Sequence, residues 1–93
     1  MSEVRLSLDA VTDLNRMIIT HSLPPDTGDR VRRSLRLLEQ FPLIGRQLEG
    51  RWAPLRFILG PWRWMLIIYS YEEPDDRVLV VAFQDARSSA AAT

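Results

Sequence analysis

Twelve arginines supply all the permanent side-chain positive charge of this 93-residue chain, which contains no lysine. Eight of them lie between residues 30 and 63, where only Glu39 and Glu49 oppose them, so this segment has a net charge of +6. The flanking segments, 1–29 and 64–93, each hold two arginines against five carboxylates. A guanidinium stays charged and offers phosphate a planar, bidentate fork. The overall net charge of zero therefore conceals a basic centre that suits an anionic partner.

Length and composition predict one small domain over residues 1–88 and a flexible tail over 89–93. The chain contains no cysteine, and His21 is its single histidine, so neither a thiolate metal site nor a zinc site is expected. We expect no cofactor. The longest uncharged apolar run, Trp64–Tyr71, is too short for a membrane span, and the first residues do not have a signal-peptide pattern. A cytoplasmic protein with no membrane partner is the expectation.

The first half of the chain is predicted to form a strand and two helices. Residues 4–8 alternate between aliphatic and polar side chains, the period of a half-buried strand. Asp9 is placed to cap the first helix, which Pro24-Pro25 would end by removing two backbone donors. A second helix, capped within residues 26–29, is expected to end near Gln40.

The second half is predicted to form three strands, at residues 55–59, 64–71 and 78–84, joined by short turns. Gly45 is expected to take a positive φ where the chain turns after the second helix. The order β-α-α-β-β-β predicts an α+β domain in which a helical hairpin packs on a mainly antiparallel sheet.

Several short motifs, in this order and spacing, resemble the RelE/ParE superfamily of toxins from bacterial type II toxin-antitoxin systems. They are Phe41-Pro42-Leu43-Ile44-Gly45-Arg46, Leu55-Arg56-Phe57-Ile58-Leu59-Gly60, Ile67-Ile68-Tyr69 and Asp85-Ala86-Arg87. The family pattern has a Pro-x-x-Gly turn, a Leu-Arg strand, a glycine turn, an aliphatic-Tyr strand and a late arginine. The resemblance spans nearly the whole chain. It implies the small α+β fold described above and a toxin that a cognate antitoxin neutralises in a hetero-oligomer.

Members of this superfamily either cleave messenger RNA on the ribosome or inhibit DNA gyrase. Metal-free RNA cleavage needs a base for the ribose 2′-hydroxyl, cations for the phosphorane-like transition state and an acid for the leaving oxygen. The resemblance leaves both activities open, and the basic centre of the chain favours ribosome-dependent cleavage, with Glu49 as base and Arg56, Arg63 and Arg87 as cations. The C-terminal segment offers no convincing general acid. One alternative is therefore a ParE-like gyrase inhibitor without enzymatic activity, and a second is a non-toxic member that acts only through antitoxin binding.

Two further groups of side chains are interpreted as binding residues. Arg46, Arg51 and Trp52 are assigned to nucleic acid, because arginines contact phosphates and tryptophan can stack on nucleobases. The residues assigned to the antitoxin are Arg32, Arg33, Arg36 and Trp62. The basic second helix suits an acidic antitoxin segment, and tryptophan is enriched among interface anchors.

Spacing limits how some of these groups can cooperate. In a regular strand Arg63 and Tyr69 would lie about 20 Å apart, which is too far for both to act on one phosphate. Either the strand contains a bulge or only one of the two residues is functional. Tyr69 is interpreted as a residue that packs against the sheet rather than one that donates a proton. His21 is placed at the end of the first helix, away from the arginines, as a core-edge or capping residue.

Overall fold

Two helices and five strands make up the described part of the chain, residues 1–87, in this computed structural model. The strands are β1 (Glu3–Leu6), β2 (Arg46–Gln47), β3 (Arg56–Leu59), β4 (Met65–Glu72) and β5 (Arg77–Asp85), and the helices are α1 (Leu8–Thr20) and α2 (Thr27–Gln40). The sheet has the order β1-β5-β4-β3-β2, with β1 parallel to β5 and every other pair antiparallel. The predicted α+β fold, a helical hairpin on a mainly antiparallel sheet, is confirmed.

The predicted tail, 89–93, lies outside the described residues, and the single domain over 1–88 stays a prediction. Within residues 1–87 no helix is both long and apolar enough to span a lipid bilayer.

One face of the sheet is buried beneath the helices. The core between this face and the helices contains fully or nearly fully buried side chains. They are Met65, Ile67 and Tyr69 of β4, Val78, Val80 and Phe83 of β5, and Val31, Leu35 and Leu38 of α2. The spacing in β5 changes between Val80 and Phe83 because Val81 is an extra residue opposite the Ile68–Tyr69 step of β4. This β-bulge returns Phe83 to the core face. The opposite face of the sheet, the open face, is not covered by either helix.

Helix α1 begins and ends at residues other than those predicted. Ser7 is its N-cap, since the Ser7 hydroxyl accepts a hydrogen bond from the Ala10 N–H at 3.0 Å, so the expectation that Asp9 caps the helix is wrong. The helix ends at Thr20, ahead of Pro24-Pro25, because Ser22 takes a left-handed φ of 50°. Helix α2 ends at Gln40, as expected.

The turn after α2 also differs from the prediction. Residues 46 and 47 form a short strand, β2, which pairs with the start of β3 and was not predicted. Gly45 does not have a positive φ, so that expectation is wrong; Gly50 is the glycine with a left-handed φ, 65°. Gly45 is instead confined by its neighbours, because a Cβ there would lie 2.5 Å from the Tyr69 hydroxyl and 2.8 Å from the Phe57 carbonyl oxygen.

Candidate nucleic-acid interface

A closed loop between β2 and β3 carries most of the residues that the sequence assigned to nucleic acid. This segment, residues 46–56, is called the basic loop. Its base is held by two hydrogen bonds, from the Leu48 N–H to the Leu55 carbonyl at 2.9 Å and from the Gln47 side-chain amide to the Ala53 carbonyl at 2.7 Å. A short 3-10 helix at residues 50–52 then turns the chain back. The loop is therefore a defined structure that can hold side chains in fixed positions.

The basic loop presents cations and an aromatic ring to solvent. Glu49 and Arg51 are exposed at its tip, where Trp52 is 51% exposed, and Arg46 is exposed at its base, in β2. The guanidinium of Arg51 lies 5.1 Å from the centroid of the Trp52 ring, a cation–π contact. An arginine that stacks on an exposed indole provides positive charge and a flat apolar surface at one place. This combination suits a phosphate and its adjoining base in a single strand.

Arg56 lies on the other face of the sheet from Arg46. Arg46 pairs with Phe57 in the β2–β3 ladder, and side chains of successive residues in a strand point to opposite faces. The half-buried Arg56 guanidinium donates from Nη1 to the carbonyl oxygens of Leu43, at 3.3 Å, and Gly45, at 3.0 Å. Arg56 therefore fixes the connection between α2 and β2.

Tyr69 holds the same connection from the core. Its hydroxyl accepts a hydrogen bond from the Gly45 N–H at 2.9 Å, and its side chain is fully buried. Burial raises the pKa of Tyr69 above the ordinary value of 10.0, although the Gly45 hydrogen bond and the charge of Arg56 oppose the rise. A buried phenol with a raised pKa remains protonated at neutral pH and cannot act as a base.

Replacing Tyr69 by phenylalanine tests this structural role. The change removes one hydroxyl and leaves the buried Gly45 N–H without its acceptor, so the free energy of unfolding is expected to fall by about 1–3 kcal/mol. Urea denaturation followed by circular dichroism measures the loss. The matched variant Tyr71→Phe removes a hydroxyl that bonds Asp76 at a more accessible position, and it is expected to cost less. Equal stabilities of wild type and Tyr69→Phe would contradict the role given to this hydroxyl.

A second cluster, the tryptophan stack, lies at the opposite end of β3 from the basic loop and consists of Arg30, Trp62, Trp64 and Arg87. The guanidinium of Arg30 lies 5.7 Å from the Trp62 ring centroid, and that of Arg87 lies 4.6 Å from the Trp64 ring centroid. The two indoles stack on each other with centroids 6.1 Å apart. Both tryptophans are half-buried, so the stack ties the start of α2 to the end of β5.

His21 adjoins this stack, so the expectation that it lies away from the arginines is wrong. Its imidazole centroid is 4.8 Å from that of Trp64, and its Nε2 is 3.4 Å from Oδ2 of Asp85. The same carboxylate accepts hydrogen bonds from Nε and Nη2 of Arg87, each at 3.0 Å. The cause is topological, because α1 ends beside the C-terminal end of β5. A single histidine distant in sequence from Asp85 carries no periodic signal that would have revealed this contact.

No family model matches the chain, and no curated protein matches it, whereas several solved structures do. The toxin-antitoxin complex RelBE2 from Mycobacterium tuberculosis is 21% identical, with a TM-score of 0.68 over 90% of this chain and 96% of that chain. The archaeal RelE-RelB complex from Pyrococcus horikoshii OT3 is 20% identical, with a TM-score of 0.65 over 94% and 98%. The isolated RelE toxin of E. coli is 15% identical, with a TM-score of 0.70 over 99% and 93%.

The chain has the RelE fold. The expectation drawn from the sequence motifs is thereby confirmed at the level of architecture. Identities of 11–21% carry no information on activity, which depends on individual side chains.

Within this RelE fold the four residues predicted to be catalytic fall into two groups. Glu49 and Arg56 belong to the basic loop, whereas Arg63 is exposed in the turn between β3 and β4, and Arg87 follows β5. From the sheet register, Arg56 and Asp85 lie about 13 Å apart along the strands and about 10 Å apart across them. The two groups therefore start from separate places on the sheet, and the role of each residue stays a prediction.

The arginines predicted to bind the antitoxin are all exposed on α2 of this RelE fold. Arg32 forms an ion pair with Asp29 at 3.0 Å, whereas Arg33 and Arg36 form none within residues 1–87. Trp62, the fourth predicted antitoxin residue, lies in the tryptophan stack beneath Arg30. No three side chains among the described residues are arranged to hold a metal ion.

The Asp85 carboxylate gives a pH-dependent prediction. The bidentate contact with Arg87 and the Arg87 backbone N–H hold the pKa of Asp85 at about 2, below the ordinary 3.8. A carboxyl whose pKa is lowered by folding stabilises the folded state above pH 3.8, and this contribution is lost as the pH falls towards 2. We expect Asp85→Asn to melt below the wild type at pH 7 and the difference to shrink as the pH falls through about 2, with thermal melting as the measurement. A difference of the same size at pH 7 and at pH 2 would contradict a stabilising role for the Asp85 charge.

Proposed function

We propose that this protein is the toxin of a type II toxin-antitoxin pair, that it acts in the cytoplasm without a cofactor, and that it cleaves messenger RNA on the ribosome. The RelE fold supports the first part of this proposal, since the similar M. tuberculosis structure is a toxin-antitoxin complex. The E. coli structure is an isolated RelE toxin. A cognate antitoxin in a hetero-oligomer follows from the same likeness.

The observation that carries the RNA proposal is the basic loop, in which Arg46 is exposed at the base and Arg51 and Trp52 are exposed at the tip. Single-stranded RNA is bound by cations that follow its phosphates and by aromatic rings that stack on its bases. The loop lies within the segment of net charge +6 and beside the uncovered face of the sheet. Messenger RNA can therefore approach it without displacing a helix.

Glu49 is the one carboxylate in the basic loop and is the proposed base. It takes the proton of a ribose 2′-hydroxyl, and the 2′-oxygen then attacks the adjoining phosphorus. The bond from phosphorus to the 5′-oxygen breaks, which leaves a 2′,3′-cyclic phosphate and a 5′-hydroxyl. Arg46 and Arg51 stabilise the charge that develops on the phosphoryl oxygens. The leaving 5′-oxygen takes its proton from water or from a group of the ribosome, which gives a reason for the ribosome dependence.

Arg63 and Arg87 act elsewhere on the same RNA strand in this proposal. Their separation from the basic loop suits contacts with other phosphates of the strand, where a cation adds affinity and fixes the position of the RNA but does not touch the reacting bond. Arg56 stabilises the connection that carries Arg46, so its removal weakens the site through the fold.

The test is an in vitro reaction of the purified protein with ribosomes and a defined message, with new RNA ends mapped by primer extension. Wild type is expected to produce new ends, and Glu49→Gln is expected to lower the rate by about 100-fold or more, as for the loss of a general base. Glu73→Gln, at an exposed carboxylate beyond β4, is the matched control and should cleave as wild type does. Absence of new ends, under conditions in which a ribosome-dependent nuclease used as positive control cleaves, would contradict the proposal.

A second candidate function is inhibition of DNA gyrase by binding alone. The separation of Glu49 from Arg87 across the sheet favours it, because an inhibitor needs an extended surface and no convergent reactive groups. A supercoiling assay with purified gyrase distinguishes the two candidates. Inhibition together with intact message would replace the nuclease proposal, and unimpaired supercoiling at saturating protein would remove this alternative.

A further inference from the structure

Helix α2 has a face that no other described element covers. At 3.6 residues per turn, the side chains directed away from the core are those of Arg33, Arg36, Leu37 and Gln40. The buried residues Val31, Leu35 and Leu38 lie on the opposite side of the helix. All four outward side chains are exposed. The face therefore combines two cations with an aliphatic side chain that gains nothing from the fold of its own chain.

The apolar character of this face continues past the end of α2. Leu37 is 42% exposed, Phe41 54%, Leu43 56% and Ile44 53%. The last three also line an open groove of about 440 Å³ together with Gln40, Pro42 and Tyr71. Single exposed apolar residues are common, whereas a contiguous patch with a groove marks an interaction surface. This stretch carries four such residues within eight positions of sequence.

The charges beside the patch are only partly neutralised by the chain itself, since the charge of Arg33 contributes to lowering the pKa of Asp26. Arg30 pairs with Asp26 and Arg32 pairs with Asp29, but Arg33 and Arg36 have no ion pair with any described residue. Arg36 does not pair even with Glu39, which is three positions later on the same helix and is half-buried. Two guanidinium groups that form no ion pair among the described residues, next to an apolar groove, complement a segment that has carboxylates followed by aliphatic side chains.

We propose that the surface made by Arg33, Arg36, Leu37, Phe41, Leu43 and Ile44 binds an acidic, aliphatic-rich segment of the antitoxin. The inference rests on the proposed toxin function, because that function supplies the partner. Carboxylates of the segment pair with the two arginines, and its aliphatic side chains enter the groove. A second copy of this chain fits less well, since a symmetric contact would bring the same arginines against each other. RNA fits less well because the exposed patch is largely aliphatic.

Although Ile44 is two residues before Arg46, the part of this surface on α2 lies apart from the basic loop. It lies on the outer side of α2, whereas the basic loop extends from the β2 edge of the sheet. A segment bound along α2 therefore anchors the antitoxin without itself covering Arg51 or Trp52. Substitutions on α2 should accordingly weaken antitoxin binding and leave toxicity intact.

The test uses the purified full chain and the product of the short reading frame adjacent to its gene, with binding measured by isothermal titration calorimetry. Arg36→Glu and Leu37→Ser are each expected to weaken binding by about tenfold or more. The matched controls are Arg16→Glu and Ile19→Ser, which make the same changes at exposed positions of α1 and should alter affinity less than about threefold. Circular dichroism confirms that each variant is folded.

Growth of cells that express the chain alone distinguishes a failure of the proposed toxin function from a failure of the proposed antitoxin-binding surface. Growth arrest by wild type, by Arg36→Glu and by Leu37→Ser, together with loss of rescue by the antitoxin in the two variants, is the expected pattern. Growth arrest by wild type with binding unchanged in both α2 variants overturns this inference and leaves the toxin function standing. Growth arrest with no adjacent gene product that binds also overturns it. Normal growth on expression of wild type contradicts the toxin function itself.

Discussion

Replacing Gly45 by alanine is expected to lower the free energy of unfolding by about 3 kcal/mol or more. The added Cβ would lie 2.5 Å from the Tyr69 hydroxyl and 2.8 Å from the Phe57 carbonyl oxygen. The second of these is a backbone atom in the middle of β3, so the conflict cannot be relieved by a side-chain rotation. Displacing Tyr69 would in addition break the hydrogen bond from the Gly45 N–H. Overpacking and a lost buried hydrogen bond therefore act together.

Gly28→Ala is the matched control for this prediction. Nothing lies within 4 Å of the position of a Cβ at Gly28, which is in the first turn of α2. Alanine there should raise stability by up to about 1 kcal/mol through helix propensity. Urea denaturation of both variants gives the two free energies. Equal effects of the two substitutions would mean that the close approach of Gly45, Tyr69 and Phe57 does not determine how this connection folds.

Removing Arg46 and Arg51 together is expected to weaken the binding of a labelled single-stranded RNA by about tenfold or more at 0.1 M salt. Each arginine that neutralises a phosphate releases condensed counterions, so the double variant Arg46→Ala/Arg51→Ala should lose about 1.4 from the slope of log affinity against log salt. Fluorescence anisotropy between 50 and 200 mM salt measures both quantities. The effect is large because these are the exposed arginines of the basic loop.

The control for the RNA prediction carries the same charge change on another surface. Arg33→Ala/Arg36→Ala also removes two exposed arginines from the segment of net charge +6. If RNA is bound at the basic loop, this variant keeps most of its affinity and its salt slope. Equal losses in the two double variants would indicate attraction by the net charge of the whole segment and would remove the assignment of RNA to the basic loop.

Periodicity was sufficient to predict the elements that contain long, regular patterns. Strand β4 reads as an uninterrupted apolar run bounded by a turn on either side, and its buried residues Met65, Ile67 and Tyr69 alternate as expected. The end of α2 at Gln40 followed from Pro42 just beyond it. The packing of both helices on one face then followed from the order of elements.

Features that depend on contacts between distant segments were not accessible from sequence patterns. Strand β2 has two residues, both exposed, so it shows no alternation and exists only because the basic loop closes. The position of Gly45 depends on Tyr69 of β4, whose hydroxyl accepts a hydrogen bond from the Gly45 N–H. Residue types identified the cations of the candidate site. Their grouping into the basic loop and the tryptophan stack, and the pairing of His21 with Asp85, required the fold.

Pulse labelling of bacterial cells in the first minutes after expression of this chain alone tests the central claim most directly. Labelled amino acids report protein synthesis and labelled thymidine reports DNA synthesis. If the chain cleaves messenger RNA, amino-acid incorporation falls first while thymidine incorporation continues. Glu49→Gln is then expected to abolish this fall. An early loss of thymidine incorporation with continued protein synthesis would contradict messenger cleavage and would assign the RelE fold of this chain to gyrase inhibition.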